Sequence, residues 1–389
     1  MDASDLRIAL VSGNYNYVRD GANQALNRLV GYLLRQGAQV RVYSPTVDQP
    51  AFPPTGDLVS LPSVALPGER DEYRMPLGLP ARVRKDLDEF RPNIMHVASP
   101  DVSSHRAVSW ARRRDLPVIA SVHTRFETYL TYYHLQAFEP LLRAMLRRFY
   151  SRCDALIVPA ESTAAVLRAQ RMNRNITIWA RGVDREQFNP GRRDLRWRTG
   201  MGLSENDFVV GFLGRTVMEK GLDVFVDTIA ELNARGVAHR VMVIGDGPAR
   251  GWFAERLPGA VFLGQQVGPD LARALASCDV LLNPSVTEAF GNVTLEAMAV
   301  GLPVVAAAAT GANSLVCGGK TGILVEPGDI DGFATALTDY AHDPELRHAH
   351  GQAGLAYAET QDWDHINAAV IKTYVRAIAR RERLARMRS

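Results

Sequence analysis

Two cations, two carboxylates and several glycines in the second half of the chain have the types and spacing to handle an anionic, hydroxyl-rich ligand. Gly214-Arg215 leaves an apolar run and is followed by Glu219-Lys220-Gly221. An arginine at a strand end and a lysine at a helix start can converge on a diphosphate, assisted by helix N-terminal amides. A structural salt bridge explains the same pair equally well. Gly245-Asp246-Gly247-Pro248 follows a second apolar run, where glycines suit a tight turn beneath a ligand but are also ordinary turn formers. The densest segment is Glu288-Ala289-Phe290-Gly291-Asn292-Val293-Thr294-Leu295-Glu296. It follows a predicted strand, so Glu288 belongs to a strand-end loop and Glu296 to the helix after it. Gly291 lets backbone approach a ligand closely, and the amides near Asn292 and Val293 would point at an anion. Glu296, about one turn into that helix, can accept hydrogen bonds from vicinal hydroxyls. The plainer alternative makes Glu288 a helix cap and Glu296 a surface charge.

In the first half, Ser12-Gly13-Asn14 and Asp20-Gly21-Ala22-Asn23 form a glycine-bearing loop between a strand and a helix, without a full GxGxxG. His123 sits just past the apolar run 118–122, at a strand's carboxyl end where binding residues belong. A structural role is the common one for a lone histidine, as for His96. Phe126, Tyr129, Tyr132, Tyr133 and His134 can line a sugar or lipid pocket, or simply pack. Three Asp-x-Asp strings, at 86–88, 329–331 and 362–364, read as structural. The first lies inside a helix, where i and i+2 do not share a face, and the others stand at helix starts, where aspartate caps. No metal site, catalytic Ser/His/Asp pattern, Walker loop or HExxH is expected.

The elements that must position these residues alternate short β-branched runs with longer helical periods, the pattern of parallel sheets with crossover helices. Strands are expected near 7–11, 40–43, 94–97, 118–122, 156–158 and 177–178, then again near 208–213, 240–244, 261–263, 280–283, 304–306 and 323–325. Residues 45–80 hold eight prolines and read as loop with at most a short strand. The 389 residues suit two domains. The α/β fold expected is two Rossmann-like domains facing each other across a cleft: 1–187, 188–362, and a C-terminal helix over 363–389 packing back on the first domain. Ligands then belong at the carboxyl ends of the strands.

Net charge is only +3, but it is unevenly spread. Residues 106–152 carry nine basic and three acidic residues, and residues 372–389 seven and one, so each stretch is +6 and the remainder is −9. That asymmetry suits a protein with one side facing an anionic surface. Phe138, Leu141, Leu142, Met145, Leu146 and Phe149 share a helical face with Arg143, Arg147 and Arg148 elsewhere on the wheel. The helix is either core-facing with a solvated basic side or an interfacial helix on anionic lipid. No nucleic-acid module accompanies the basic residues. An acidic start, three scattered cysteines and no long apolar run point to a cytoplasmic protein, peripheral on the inner face of the cell membrane.

Taken together, Gly214-Arg215…Glu219-Lys220-Gly221, Ile244-Gly245-Asp246-Gly247-Pro248, the Glu288…Glu296 pair and Gly301-Leu302-Pro303-Val304-Val305 resemble the retaining glycosyltransferases of family 4, which have the GT-B fold. Ser121-Val122-His123-Thr124-Arg125-Phe126 and Trp179-Ala180-Arg181-Gly182-Val183-Asp184 look closest to the plant-type sulfoquinovosyl-diacylglycerol synthases and the bacterial glycolipid α-mannosyltransferases. The resemblance implies a hexosyltransferase that uses a UDP- or GDP-sugar without metal or other cofactor and acts on a lipid such as a diacylglycerol or glycolipid. It implies that Arg215 and Lys220, with Gly214 between strand and loop, hold the donor diphosphate. Glu288 and the amides of Phe290, Gly291, Asn292 and Val293 would meet the sugar, Glu296 the ribose, and Gln266 and Val267 the base. His123 would approach the sugar and transition state from the other domain, as one of four catalytic residues with Arg215, Lys220 and Glu288. Gly13 and Gly21 would sit near the diphosphate and acceptor, although Asp20-Gly21-Ala22 replaces the paired glycines of many relatives. A polysaccharide or soluble acceptor, or a nucleotide-sugar binder without turnover, are the competing readings.

Overall fold

The computed structural model describes residues 1–66, 73–123, 136–288, 290–309 and 311–387. The chain forms two compact units, Met1–Arg181 with Trp363–Ser389, and Gly182–Asp362. The first is built on a seven-stranded parallel sheet of β1 (Arg7–Val11), β2 (Gln39–Pro45), β3 (Asp57–Leu61), β6 (Ile94–Val97), β7 (Val118–Ser121), β8 (Ala155–Val158) and β9 (Ile176–Ile178), ordered β3-β2-β1-β6-β7-β8-β9. Its central strands are near-continuous apolar runs because helices cover both faces. Ala9 and Val11 face one core with Trp110 and Phe149, while Ile8 and Leu10 face another with Leu26, Leu29 and Tyr374. That split is the two-residue period of a strand.

The helix Trp363–Arg386 returns to this unit. Val370, Tyr374, Ala377 and Ile378 recur at helical spacing and enter its core. Arg381 clamps Asp154 through Nε and Nη2 at 2.9 and 3.1 Å. Within the proline-rich stretch the structure holds more than the short strand expected. β3 extends the main sheet as its edge, and β4 (Ser63–Ala65) pairs antiparallel with β5 (Arg74–Pro76). Pro45 and Pro76 end their strands, where the missing N–H is tolerated, so the prolines bound these elements rather than abolish them.

The second unit has a six-stranded parallel sheet: β10 (Val209–Leu213), β11 (Arg240–Ile244), β12 (Val261–Phe262), β13 (Val280–Asn283), β14 (Val304–Ala307) and β15 (Gly322–Val325), ordered β12-β11-β10-β13-β14-β15. Phe212, Phe225 and Phe253 meet edge-on at 5.3–5.6 Å between ring centres in its core. In both sheets the strand order reverses once, between β1 and β6 and between β10 and β13. Such switch points open a crevice at the strands' carboxyl ends, where ligands bind in open α/β sheets.

Candidate active site

At the second unit's switch point, the loops leaving β10 and β13 are stitched together. Lys220 Nζ lies 2.9 Å from Glu288 Oε1, and Thr287 Oγ1 donates to the Glu219 carbonyl at 3.0 Å. The other Glu288 oxygen, Oε2, is buried without a hydrogen-bond partner among the described residues. Two helices begin here, Leu222–Ala234 and Asn292–Ala299, each capped by a glycine in left-handed conformation, Gly221 at φ +73° and Gly291 at φ +96°. A Cβ on Gly221 would lie 2.9 Å from the Pro284 carbonyl, and one on Gly291 3.2 Å from Glu288 Oε2. Glycine also leaves the first-turn amides unoccupied by a capping side chain. Arg215, Lys220, Glu288, Asn292, Val293 and Glu296 are all partly buried, and Phe290 fully so.

Gly245 and Gly247 have a local explanation. A Cβ on Gly245 would sit 1.9 Å from the Gly214 carbonyl, and one on Gly247 2.7 Å from that of Thr216. The loops after β10 and β11 run backbone against backbone, with Gly214 N–H donating to Ile244 O and Thr216 N–H to Asp246 O, each at 3.0 Å. These glycines hold the Gly214-Arg215 turn in place. Gln266 folds back on its own loop, donating to the Leu263 carbonyl at 2.7 Å, and Val267, half exposed, starts the helix Gly268–Ala276. Gly311 escaped sequence reasoning: its Cβ would lie 2.8 Å from the Glu288 carbonyl, so it seats the loop that carries Glu288.

The first unit's switch point is built differently. Gly13 N–H donates to Ser99 Oγ at 2.9 Å, joining the loops after β1 and β6. Asp20 caps the helix Gly21–Arg35 through Asn23 N–H at 2.8 Å and accepts from Asn14 Nδ2 at 2.9 Å. Burial raises its carboxyl pKa above the ordinary value. His123 follows β7. Its Nε2 lies 2.9 Å from Ser121 Oγ, its Nδ1 lies 2.9 Å from Arg181 Nη2, and its ring stands edge-on to Trp179. Burial first, then the neighbouring Arg181 charge, holds its pKa well below the ordinary 6.5. Arg181, itself buried, was not marked by sequence reasoning as a functional residue. The aromatic run at 126–134 lies outside the described residues. The Asp-x-Asp aspartates have other partners: Asp86 binds Tyr43 and Arg41, Asp88 pairs with Arg114, Asp329 caps its helix and Asp364 pairs with Arg35.

Two Rossmann-like domains, each with its candidate residues at the carboxyl ends of its strands, define the GT-B class of proteins. The solved sucrose-phosphate synthase of Thermosynechococcus elongatus shares this fold, with a TM-score of 0.79 at 21% identity over 96% of this chain and 99% of that one. Family models described as glycosyltransferase family 4 and glycosyl transferases group 1 match residues 19–187 and 207–343. A GDP-mannose-dependent alpha-mannosyltransferase of Mycolicibacterium smegmatis is 31% identical over 97% of this chain and 99% of its own length. Sulfoquinovosyl transferase SQD2 of Arabidopsis thaliana is 33% identical over 74% of this chain, which spans 57% of that plant protein. The chain belongs to the family 4 glycosyltransferases.

Proposed function

We propose that the protein is a metal-independent, retaining hexosyltransferase that moves a sugar from a UDP- or GDP-sugar to a lipid acceptor, a diacylglycerol or glycolipid, at an anionic membrane surface. The observation that carries the donor half is the second unit's switch point, where Lys220, Glu288 and two glycine-capped helix starts meet. Cleaving the sugar–phosphate bond puts negative charge on the diphosphate. Arg215, Lys220 and the uncapped amides supply fixed positive potential to stabilise it, and such preorganised electrostatics is commonly the largest catalytic contribution. The two cations stand in for a metal's charge. The unpartnered Glu288 Oε2 is an acceptor waiting for a donor-sugar hydroxyl, since a buried carboxylate oxygen left unpaired is costly. Glu296 serves the ribose and the loop at Gln266 and Val267 the base. With Glu288 engaged by Lys220, attack from the face of the leaving phosphate is the retaining route we favour.

The acceptor half rests on the first unit's surface. The apolar arc of the helix Glu139–Tyr150 and its cap Phe138 is divided: Leu146 and Phe149 enter the core, while Phe138, Leu141 and Met145 are 57%, 61% and 55% exposed. On a wheel of about 100° per residue these are adjacent halves of one arc. The helix ends near Asp154, which bonds the first residue of β7, so it starts toward the carboxyl edge where His123 lies. The Arg381–Asp154 clamp joins both basic stretches on this unit. An exposed apolar stripe among arginines suits a peripheral hold on anionic lipid, and no helix among the described residues is long and apolar enough to cross a membrane. The Gly13 and Gly21 loop then serves the acceptor hydroxyl. The test is co-sedimentation with phosphatidylglycerol vesicles, alongside hexose transfer to diacylglycerol in mixed micelles. We expect binding at low salt that weakens at 0.5 M and falls at least tenfold in Leu141→Glu/Met145→Glu. Equal binding to neutral vesicles, or none, moves the acceptor to a polysaccharide or soluble molecule.

A further inference from the structure

His123 is tethered at both ring nitrogens, and the tethers have a direction. A guanidinium donates and never accepts. The 2.9 Å contact from Arg181 Nη2 therefore makes His123 Nδ1 the bare, accepting nitrogen, and the ring proton sits on Nε2, donating to Ser121 Oγ. Ser121 Oγ also lies 2.9 Å from His96 Nε2, and His96 Nδ1 lies 2.7 Å from the phenol of Tyr374. However His96 and Tyr374 share their protons, His123 keeps its own on Nε2. Arg181 is anchored independently: Nη1 donates to the Trp179 and Ala180 carbonyls at 2.8 and 3.1 Å, and its guanidinium carbon lies 4.5 Å from the Trp179 ring centre.

We propose that Arg181 is a positioning residue that fixes His123 as a neutral imidazole with its proton on Nε2, so that His123 takes no part in proton transfer. Adding a proton at Nδ1 would set N–H against N–H and cation against cation. The titratable or charged groups that face His123 among the described residues are Arg181, from the segment after β9, and, beyond Ser121, His96 of β6, with Tyr374 of the C-terminal helix behind it. None is an anion that would favour the imidazolium, and burial lowers the pKa of both histidines, that of His96 to about 3. Resting on the transferase reading, the consequence is that no general base is needed from His123. This suits a reaction in which the leaving phosphate takes the acceptor's proton.

The test is NMR of the full chain with 15N-labelled histidine, the His123 signals being assigned by their loss in His123→Asn. In the wild type we expect a protonated Nε2 and a bare Nδ1 that do not change between pH 8 and pH 5. In Arg181→Met burial still disfavours the imidazolium, but the proton is no longer confined to Nε2: we expect a protonated Nδ1 to appear and the ring to titrate at higher pH than in the wild type. Arg181→Lys, whose ammonium cannot hold both carbonyls and the ring together, should titrate in the same direction but lower. A wild-type His123 that titrates between pH 8 and pH 5, or carries its proton on Nδ1, overturns the proposal, as does either variant behaving like the wild type. The spectrum reads the ring without any donor sugar, so its outcome is separate from that of the transferase assay.

Discussion

The two switch points hold equivalent places in their sheets and present opposite electrostatics. In the second unit the helices after β10 and β13 are capped by Gly221 and Gly291, with no side chain bonded to their first amides. In the first unit the helix after β1 starts behind Asp20, whose carboxylate takes the Asn23 amide and is held by Asn14. A helix N-terminus favours an anion, and a capping aspartate has already supplied one. On the function proposed above, similar architecture serves a diphosphate at one site and an acceptor hydroxyl at the other. What distinguishes them is the pairs of capping residues, Asp20 and Asp101 in one and Gly221 and Gly291 in the other, with the cations near the glycines, rather than the fold.

The largest expected effect breaks the second site. Arg215→Ala or Lys220→Ala should lower turnover by about 10²-fold or more, the scale of losing an oxyanion donor. Transfer assays at saturating donor check this, and near-wild-type turnover in both variants would end the assignment. The Lys220 change also leaves Glu288 without its 2.9 Å partner, so some of its cost will appear as stability. The smallest effect sharpens the contrast. Asp20→Asn keeps a good cap while removing the carboxylate charge. We expect nucleotide affinity to stay within about twofold, and stability within ~1 kcal/mol. Because burial raises the Asp20 pKa, its ionised form works against folding in full above the folded-state pKa, and this cost fades as pH falls through that pKa toward the ordinary carboxylate value. A tenfold gain in nucleotide affinity for Asp20→Asn would show that the first loop also receives the diphosphate.

Much of this arrangement was legible in the residues. The apolar runs at 7–11, 94–97 and 280–283 are buried strands, and Gly214, Lys220, Glu288 and Gly291 fall on adjacent strand ends as their spacing implied. Three things were hidden, each because it depends on contacts distant in sequence. The edge strand β3 has no signal of its own among the prolines and exists by pairing with β2. The apolar arc of the helix Glu139–Tyr150 looks uniform on a wheel, and only packing shows that half of it stays exposed. Arg181 stands in the sequence only within the Trp179–Asp184 segment, with no role of its own, and its partner His123 lies 58 residues away.

In the function proposed here, the second unit's switch point binds a nucleoside diphosphate. Thermal unfolding of the full chain with millimolar UDP, GDP or ADP tests it most directly, in the wild type and in Lys220→Ala. A ligand present at 100 times its Kd adds ~2.7 kcal/mol of stability. A clear rise in midpoint with UDP or GDP is expected in the wild type, largely lost in Lys220→Ala. No rise with any nucleotide, or an equal rise in the variant, would contradict it.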